Sequence, residues 1–345
     1  MQSYFRPIAL VFGRDARSLV TLGQAGALGG LPHIAFTRVE VIERGLMPRV
    51  MSFADVTDEA AVQAITAPRP DFGGLTMDSA RIMGIVNVTP DSFSDGGRLA
   101  NAEAAIAHGK QLSAEGADIL DVGGESTRPG SDTVSIEDEI QRIESVIAAL
   151  SARHVVSADT RKAVVMQSAL TAGARIINDV SALKYEPASA NVIAQAMAPV
   201  ILMHAQGEPK TMQLNPRYSD VVLDVYDALQ ASIAKAEEAG IARSNICIDP
   251  GIGFGKTFKQ NLELMAGLSL FHGLGVPLLV GLSRKGFIGA VTGEKLAANR
   301  VHGSVGGAMQ AAMQGVHILR VHDVKATVQA LKMFTASNDP DSADF

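Results

Sequence analysis

Short apolar runs alternate with longer amphipathic segments through most of the chain. The runs are rich in Val, Ile and Leu, which is typical of buried strands, whereas the segments between them are rich in Ala, Glu, Gln and Leu and predict helices. The clearest helices are predicted at residues 102–116, 135–151 and 220–240. The predicted strands are residues 82–88, 118–122, 154–158, 175–180, 199–203, 245–248, 277–282 and 316–321. Regular alternation of strands and helices indicates a parallel sheet.

The number of strand–helix units limits the architecture. Eight units within roughly 255 residues match the strand count and size of a (β/α)8 barrel. A doubly wound sheet is the alternative α/β architecture, but it usually has fewer strands for this length. We therefore predict an α/β fold in which residues 79–335 form a TIM barrel.

The segments on either side of the predicted barrel differ from it. Residues 1–78 are interrupted by Gly and Pro and contain one partly alternating strand at 33–42. Residues 51–56 predict either a second strand or the start of a short helix capped by Thr57. We interpret residues 1–78 as a small hairpin-rich N-terminal extension. The polar, Pro-containing residues 336–345 predict a disordered tail.

Charge and composition limit the classes of binding partner and the cellular compartment that we expect for this protein. The formal net charge of −6 leaves no basic surplus for nucleic acid or an anionic membrane. No apolar run reaches the ~18 residues that a membrane-spanning helix needs, and the N-terminus lacks the order of a signal peptide. The single cysteine, Cys247, lies in an apolar run and predicts a buried structural thiol. We expect a cytoplasmic protein with no nucleic-acid or membrane partner.

Polar residues stand where the predicted strands end. In a (β/α)8 barrel, these C-terminal ends surround one cleft, where active sites form. A single polar residue at such a position is usually only a cap, but here every strand end carries at least one. They are Asn87, Asp121, Asp159, Asn178, His204, Asp249, Ser283, Arg284, Lys285, Arg320 and His322. We therefore predict that these side chains converge on one site.

Hydrogen-bond acceptors are concentrated at three of these strand ends. Asp159, Asn178 and Asp249 suit a flat ligand with several N–H donors, such as the guanidine-like edge of a pterin. Lys285 adds a donor for a carbonyl or ring nitrogen. We interpret His204 as a hydrogen-bonded strand-end histidine rather than a catalytic group.

Cations and one amide complete the candidate chemistry. Arg128, Arg320 and His322 are donors suited to phosphate. Asn87 offers an oxygen ligand to Mg²⁺, which prefers oxygen and usually keeps several waters. Zinc is not expected, because no cysteine or histidine cluster has ligand spacing. Residues 251–256 carry alternate glycines before a lysine without the order of a phosphate-binding P-loop, so we expect these glycines to shape a loop around a ligand.

Two long motifs resemble the signatures of a known family. Residues 83–97 (MGIVNVTPDSFSDGG) and 121–130 (DVGGESTRPG) resemble the first and second signatures of the dihydropteroate synthases. Shorter matches follow in the same order at residues 157–160, 176–179, 203–213, 249–256, 283–285 and 320–323. The resemblance extends over all eight predicted units.

The resemblance implies a (β/α)8 barrel that is usually a homodimer. It implies the condensation of 6-hydroxymethyl-7,8-dihydropterin diphosphate with p-aminobenzoate to 7,8-dihydropteroate and pyrophosphate, with Mg²⁺ held at Asn87. The implied pterin contacts are Asp121, Asp159, Asn178, Met203, Asp249, Lys285 and Arg320. The implied diphosphate contacts are Thr127, Arg128 and His322. The implied p-aminobenzoate contacts are Phe93, Pro129, Phe254, Ser283 and Lys285. The implied catalytic residues are Arg128, Lys285, Arg320 and His322.

The sequence departs from the usual family pattern at two apolar positions. Ala205 stands where Met is common, and Ile252 stands where an aromatic residue is frequent. These differences affect the shape of the pocket rather than its chemistry. The loops near the p-aminobenzoate side carry no insertion that would exclude a drug, so we expect sulfonamides to inhibit.

Two alternative functions and an oligomeric state remain open. One alternative is a related pterin-binding barrel that transfers a methyl group, which residues 127–129, 283–285 and 320–322 disfavour. The other is a non-catalytic pterin-binding paralogue, although the expected polar residues are intact. The Gly- and Ala-rich segment 300–315 suggests a helix that packs in a homodimer, but packing against the barrel alone would also explain it.

Overall fold

The computed structural model of the protein contains one antiparallel and one parallel sheet. It describes residues 2–88, 97–126, 131, 133–207 and 211–342. The antiparallel sheet precedes the barrel. Its segment contains β1 (Ser3–Phe12), α1 (Gly13–Thr21), β2 (Gly26–Ala27), β3 (Ile34–Glu43), β4 (Arg49–Ser52) and α2 (Glu59–Thr66). The central strand β3 pairs antiparallel with β1, β2 and β4. The hairpin-rich extension is therefore confirmed.

Two details of the extension differ from the sequence prediction. The sequence does not predict β1, because Pro7 interrupts it and its apolar residues do not alternate cleanly. Residues 49–52 form β4, and the following helix α2 is capped by Asp58 rather than by Thr57. The Asp58 carboxylate accepts a hydrogen bond of 2.9 Å from the Ala61 N–H. Asp58 directly precedes the helix, so its side chain is the one that reaches a free N–H of the first turn.

Eight parallel strands form the second sheet, and their ends lie within two residues of the predicted ones. The strands are β5 (Arg81–Asn87), β6 (Ile119–Gly123), β7 (Val155–Asp159), β8 (Ile176–Asp179), β9 (Val200–Met203), β10 (Ile246–Asp249), β11 (Leu279–Val280) and β12 (Ile318–Val321). Their order is β10-β9-β8-β7-β6-β5-β12-β11. The Ile248 N–H donates to Pro277 O at 3.0 Å, which joins β10 to the segment entering β11 and closes the barrel.

Helices follow the strands and cover the outside of the barrel. They are α3 (Gly97–Ala114), α4 (Ile136–Ser151), α5 (Ala163–Thr171), α6 (Ala188–Ala196), α7 (Val221–Glu238), α8 (Phe258–Ala266), α9 (Gly286–Thr292), α10 (Val301–Met313) and α11 (Val324–Asn338). Among the described residues, no helix is both long enough and apolar enough to cross a membrane.

The barrel interior is a small apolar cluster with a polar layer above it. One inward residue from most strands belongs to this cluster: Met83, Ile119, Ile176, Ile201, Cys247, Leu279 and Ile318. Phe72 and Met77, which precede β5, pack against them. Because strand side chains alternate, the residue two positions later faces the same interior, one layer higher. Cys247 is a buried free thiol, as predicted.

The extension covers the end of the barrel where the strands begin. His317, directly before β12, is bonded through Nε2 to Gly29 O at 3.0 Å. Ser269 Oγ donates to Pro7 O at 2.9 Å, and Arg69 donates to His272 O at 3.0 Å. The extension is thus attached through buried hydrogen bonds at the end opposite to the strand C-termini.

We predicted a disordered tail for residues 336–345, and the structure differs from this prediction over residues 336–342, while residues 343–345 lie outside the described residues. Helix α11 continues to Asn338, and Asp339 is buried and paired with Arg17 of α1 at 2.6 Å. The Phe12 and Phe334 rings also meet edge to face, with centroids 5.3 Å apart. The sequence of the tail could not reveal this order, because its partners belong to the extension.

We predict that Gly29→Ala weakens the attachment of the extension. A Cβ at Gly29 would lie 2.7 Å from His272 Nδ1 and 2.9 Å from His317 Cε1, where the packing leaves no room. Gly23→Ala is the matched control, because Gly23 also has a positive φ but no atom within 4 Å of the added Cβ. In urea denaturation, Gly29→Ala should lose about 1–3 kcal/mol more unfolding free energy than Gly23→Ala. Equal losses would show that the contact is not tight.

Candidate active site

The parallel register brings the predicted strand-end residues together. Asn87 of β5 is aligned with Gly123 of β6, which is aligned with Asp159 of β7, and Asp159 is aligned with Asn178 of β8. On the far side, Asp249 of β10 is aligned with the buried Met203 of β9. These alignments are between neighbouring C-terminal strand ends, so the residues surround one end of the barrel.

A single guanidinium joins two buried carboxylates at this end. Arg320 Nε lies 2.6 Å from Asp121 Oδ2, and Arg320 Nη2 lies 2.7 Å from Asp159 Oδ2. Asn178 Nδ2 donates to Asp121 Oδ2 at 3.1 Å. Within the described part of the chain, Asp121 Oδ1 and Asp159 Oδ1 are buried without a hydrogen-bond partner. Such atoms are acceptors available to the N–H groups of a ligand.

Burial changes the acidity of the carboxylates. It raises the pKa of Asp159 to about 7, although the Arg320 charge acts in the opposite direction. Burial also raises the pKa of Asp249, against the opposing charge of Lys285. Burial disfavours the charged form of Arg320 as well, but the carboxylates of Asp121 and Asp159 outweigh it and raise the pKa of the guanidinium. The charge on Arg320 therefore limits the rise in the pKa of Asp159.

Lys285 lies against the loop that follows β10. Its Nζ donates to Ile252 O and lies 4.6 Å from the centroid of the Phe254 ring. Burial lowers the pKa of Lys285 to about 8, while the negative charge of Asp249 acts to raise it. Asp249 in turn accepts a hydrogen bond of 2.7 Å from the Gly251 N–H. A donor, an acid and an aromatic face are thus held side by side.

Ser283 and His322 meet across the ends of β11 and β12. Ser283 Oγ lies 3.1 Å from His322 Nδ1 and accepts the His322 N–H at 3.2 Å. Between Ser283 and Lys285, Arg284 has a left-handed φ of 60°, which is strained for a residue with a side chain. An ion pair of 2.5 Å with Asp323 holds the Arg284 guanidinium to the β12 side.

Several of the predicted site residues lie outside the described residues. They are Phe93, Thr127, Arg128 and Pro129. Of the predicted diphosphate contacts, the structure therefore describes His322. Of the predicted p-aminobenzoate contacts, it describes Phe254, Ser283 and Lys285. Half-buried Asn87 ends β5 beside this cleft.

A buried ionic cluster beside the site was missed by sequence reasoning. Lys162 Nζ lies 2.5 Å from both Glu125 and Glu139 and donates to Val134 O at 2.6 Å. Arg161 adds a second cation 2.8 Å from Glu125. The cluster ties the segment after β6 to the start of α5. Its signal was the acid inside the second motif, but the partners are distant in sequence and resemble ordinary surface charges.

His204 is a hydrogen-bonded histidine at the end of β9, as predicted. His204 Nδ1 is hydrogen bonded to the buried Nζ of Lys256 at 3.0 Å. The ring is therefore part of the packing beneath the loop after β10.

Comparisons with known proteins agree with this geometry. Residues 83–322 match the family model of pterin binding enzymes. The chain is 53% identical over 266 residues to dihydropteroate synthase of Neisseria meningitidis serogroup B, covering 75% of this chain and 93% of that protein. Dihydropteroate synthase of Xanthomonas albilineans, solved with 4-aminobenzoic acid, superposes with a TM-score of 0.74 at 48% identity, covering 81% of this chain and all of that one. The Yersinia pestis enzyme, solved as a sulfonamide drug complex, gives 0.72 at 44% identity over 76% and 96% of the two chains.

Fold and site together define a pterin-binding (β/α)8 barrel enzyme, in which buried acceptors line the floor and cations surround them. Within that class, the chain belongs to the dihydropteroate synthase family. The fold class predicted from the sequence is therefore confirmed.

We predict that Arg320→Met raises the pKa of Asp159 further above about 7. Burial and the neighbouring acids raise this pKa, and Arg320 opposes them, so its removal leaves only the raising influences. Carbon-13 NMR of labelled aspartate side chains measures the titration, with Asp159→Asn used to assign the signal. Arg320→Lys is the conservative control and should give a smaller shift. An unchanged or lower pKa in Arg320→Met would contradict the pairing.

Proposed function

We propose that this protein condenses 6-hydroxymethyl-7,8-dihydropterin diphosphate with p-aminobenzoate, forming 7,8-dihydropteroate and releasing pyrophosphate. The observation that carries the proposal is the strand-end cluster of Asp121, Asp159 and Arg320, in which two carboxylate oxygens have no hydrogen-bond partner among the described residues. The kinship with dihydropteroate synthases supports the same reaction. Through this reaction the protein would supply a precursor of folate.

The floor of the barrel suits the pterin. Its ring carries an amino group and ring N–H donors on one edge, which match the acceptors of Asp159, Asn178 and Asp249. Lys285 can donate to the ring carbonyl or nitrogen. In the free protein Arg320 occupies the Asp121 and Asp159 carboxylates, so a bound pterin shares these acceptors with the guanidinium.

The diphosphate side combines side chains with a metal ion. Thr127, Arg128 and His322 are the proposed contacts, and spreading charge over them makes diphosphate a better leaving group. We propose that Mg²⁺ binds Asn87 together with substrate oxygens and water, which supply the remaining ligands of this hard cation. Asn87 fits this arrangement, because its half-buried side chain at the end of β5 offers an amide oxygen to a cation that prefers oxygen ligands. The bound metal would supply further charge neutralisation at the leaving group.

The reaction needs positioning more than a nucleophilic side chain. The arylamine nitrogen of p-aminobenzoate attacks the exocyclic methylene carbon, the C–N bond forms, the C–O bond to diphosphate breaks, and the amine proton is released. An arylamine is uncharged at neutral pH, so it needs no strong base. Phe93, Pro129 and Phe254 would enclose its ring, while Ser283 and Lys285 would bind its carboxylate. The barrel thus contributes orientation and electrostatics.

We propose a homodimer in the cytoplasm. One side of α10 is buried against the barrel through Ser304, Ala308, Ala311 and Ala312, while its other side, at residues 302–310, includes exposed positions. Among the described residues, no atom lies within 4 Å of a Cβ added at Gly306, so a partner helix can approach it closely. Light scattering at micromolar concentration should give twice the mass of the chain, and a monomer mass would reject the dimer.

Pyrophosphate release tests the function directly. The wild-type protein, supplied with Mg²⁺ and the pterin diphosphate, should release pyrophosphate in an amount that depends on added p-aminobenzoate. Chelation of the metal should stop release. Release that does not respond to p-aminobenzoate would contradict the proposed condensation, and no release would point to a binding paralogue.

We predict that Asp249→Ala abolishes measurable pterin binding. Removal of this buried acceptor leaves ligand N–H groups unpaired, at a cost of roughly 1–3 kcal/mol for each group. Calorimetry with 6-hydroxymethylpterin measures the loss. Asp15→Ala, at an exposed position of α1, is the control and should bind like wild type. Unchanged affinity in Asp249→Ala would remove Asp249 from the pterin site.

Sulfonamides should inhibit by competing with p-aminobenzoate. A sulfonamide carries an arylamine on a ring, para to an acidic group, and so resembles the substrate in shape and polarity. Initial rates against p-aminobenzoate at several sulfamethoxazole concentrations should show a raised KM and an unchanged kcat. Full activity at drug concentrations far above the substrate would mean that Ala205 or Ile252 reshapes the pocket.

A further inference from the structure

The loop after β10 contains a charged group that the proposed mechanism does not use. Residues 250–256, here called the glycine loop, end at Lys256, whose side chain is among the largest fully buried ones at 1% exposure. Its alternating glycines and lysine resemble a phosphate-binding P-loop in composition, but they do not follow the residue order of a P-loop. In the structure the lysine side chain turns into its own loop and donates to the carbonyls of Gly251 and Phe254.

Lys256 is surrounded by acceptors from the loops after β9 and β10. Its Nζ lies 2.8 Å from Gly251 O, 2.9 Å from Phe254 O and 3.3 Å from His204 O. His204 Nδ1 lies 3.0 Å from the same nitrogen. Burial lowers the pKa of Lys256 to about 7, while the charge of Asp249 acts to raise it. The protonated amine has three donors and no acceptor, so in that state His204 Nδ1 accepts and the ring proton lies on Nε2. A neutral imidazole agrees with this, because burial and then the charge of Lys256 lower the pKa of His204 to about 2.

Glycine at two positions allows the carbonyls to turn inward. Gly251 and Gly255 have φ values of 68° and 60°, in the left-handed region that favours glycine. A Cβ at Gly251 would lie 1.9 Å from His204 O, and one at Gly255 would lie 2.3 Å from Gln206 O. The backbone of the glycine loop is thus pressed against residues 204–206, with Lys256 between the two loops.

The same loop also supports the candidate p-aminobenzoate side. Ile252 O accepts a hydrogen bond from Lys285, and the Phe254 ring lies 4.6 Å from the same ammonium. The carbonyls that bind Lys256 belong to Gly251 and Phe254, which flank or include these groups. A shift of the inward carbonyls would therefore displace both the carbonyl and the ring that contact Lys285.

We propose that Lys256 is a positioning residue, which fixes the glycine loop from inside and so holds Lys285 and Phe254 ready for p-aminobenzoate. The proposal rests on the proposed function for the identity of this substrate. The pterin floor depends on it less, because Asp121, Asp159 and Asn178 belong to strands that the glycine loop does not support. Asp249 is bonded to the loop through the backbone N–H of Gly251, at the end of the loop next to β10.

Lys256→Met tests the proposal, because methionine fills the volume without the ammonium. Relative to wild type, the KM for p-aminobenzoate should rise at least about tenfold, kcat should fall less than about threefold, and the Kd for 6-hydroxymethylpterin should change less than about threefold. Lys259→Met is the matched control. Lys259 lies on α8 three residues later with its side chain 87% exposed, and its loss should leave all three values unchanged.

A second pair of variants covers the case in which Lys256→Met does not fold. His204→Leu removes one acceptor of Lys256, whereas His204→Asn retains a side-chain acceptor there, so the KM increase should be larger for leucine. An unchanged KM in Lys256→Met, equal KM values in the two His204 variants, or a parallel loss of pterin affinity would overturn the positioning role. Wild-type protein assayed alongside separates the two proposals. An inactive wild type contradicts the function, and an active wild type with unaffected variants contradicts only the role of Lys256.

Discussion

The site depends on how the barrel stabilises two carboxylates buried at adjacent strand ends. An ionised carboxylate without a partner is costly in such a place, so Asp121 and Asp159 require a cation. Arg320 meets this need from β12, which pairs with β5, which in turn pairs with β6. The pairing order of the strands therefore decides the electrostatics of the cleft. Because each carboxylate keeps one oxygen that no described residue contacts by a hydrogen bond, neutralisation does not remove the capacity to bind N–H donors.

The two ends of the barrel have separate tasks. The extension is attached where strands begin, through His317 and Ser269, and the polar groups that bind ligands lie where strands end. The packing at the lower end is tight, since a Cβ added at Gly29 would clash with the two buried histidines, His272 and His317. The upper end instead contains a strained backbone, at the left-handed Arg284, together with buried charged groups. This division is typical of (β/α)8 barrels, in which the lower end serves stability.

The sequence predicted the barrel well because its strands are buried on both faces and its helices have their own period. Each strand end could be assigned a polar residue, and period-two alternation places those residues in one layer. The contacts that it could not predict join residues distant in the chain. Asp339 pairs with Arg17, in a segment whose own sequence is typical of disorder. Lys162 bridges Glu125 and Glu139, although in the sequence each of the three resembles an ordinary surface charge. Likewise, the glycine loop suggested a ligand, but its lysine binds the loop's own carbonyls.

A crystal structure of the protein with 6-hydroxymethylpterin diphosphate would show whether the strand-end acceptors bind the pterin. We expect the amino and N–H edge of the pterin to lie on Asp159, Asn178 and Asp249, with the diphosphate toward His322 at the mouth. Arg320 should then give up part of its contact with Asp159 and lie beside the ring. A pterin bound elsewhere, or one that leaves the Arg320 pairs with Asp121 and Asp159 intact and makes no contact with these acceptors, would contradict it.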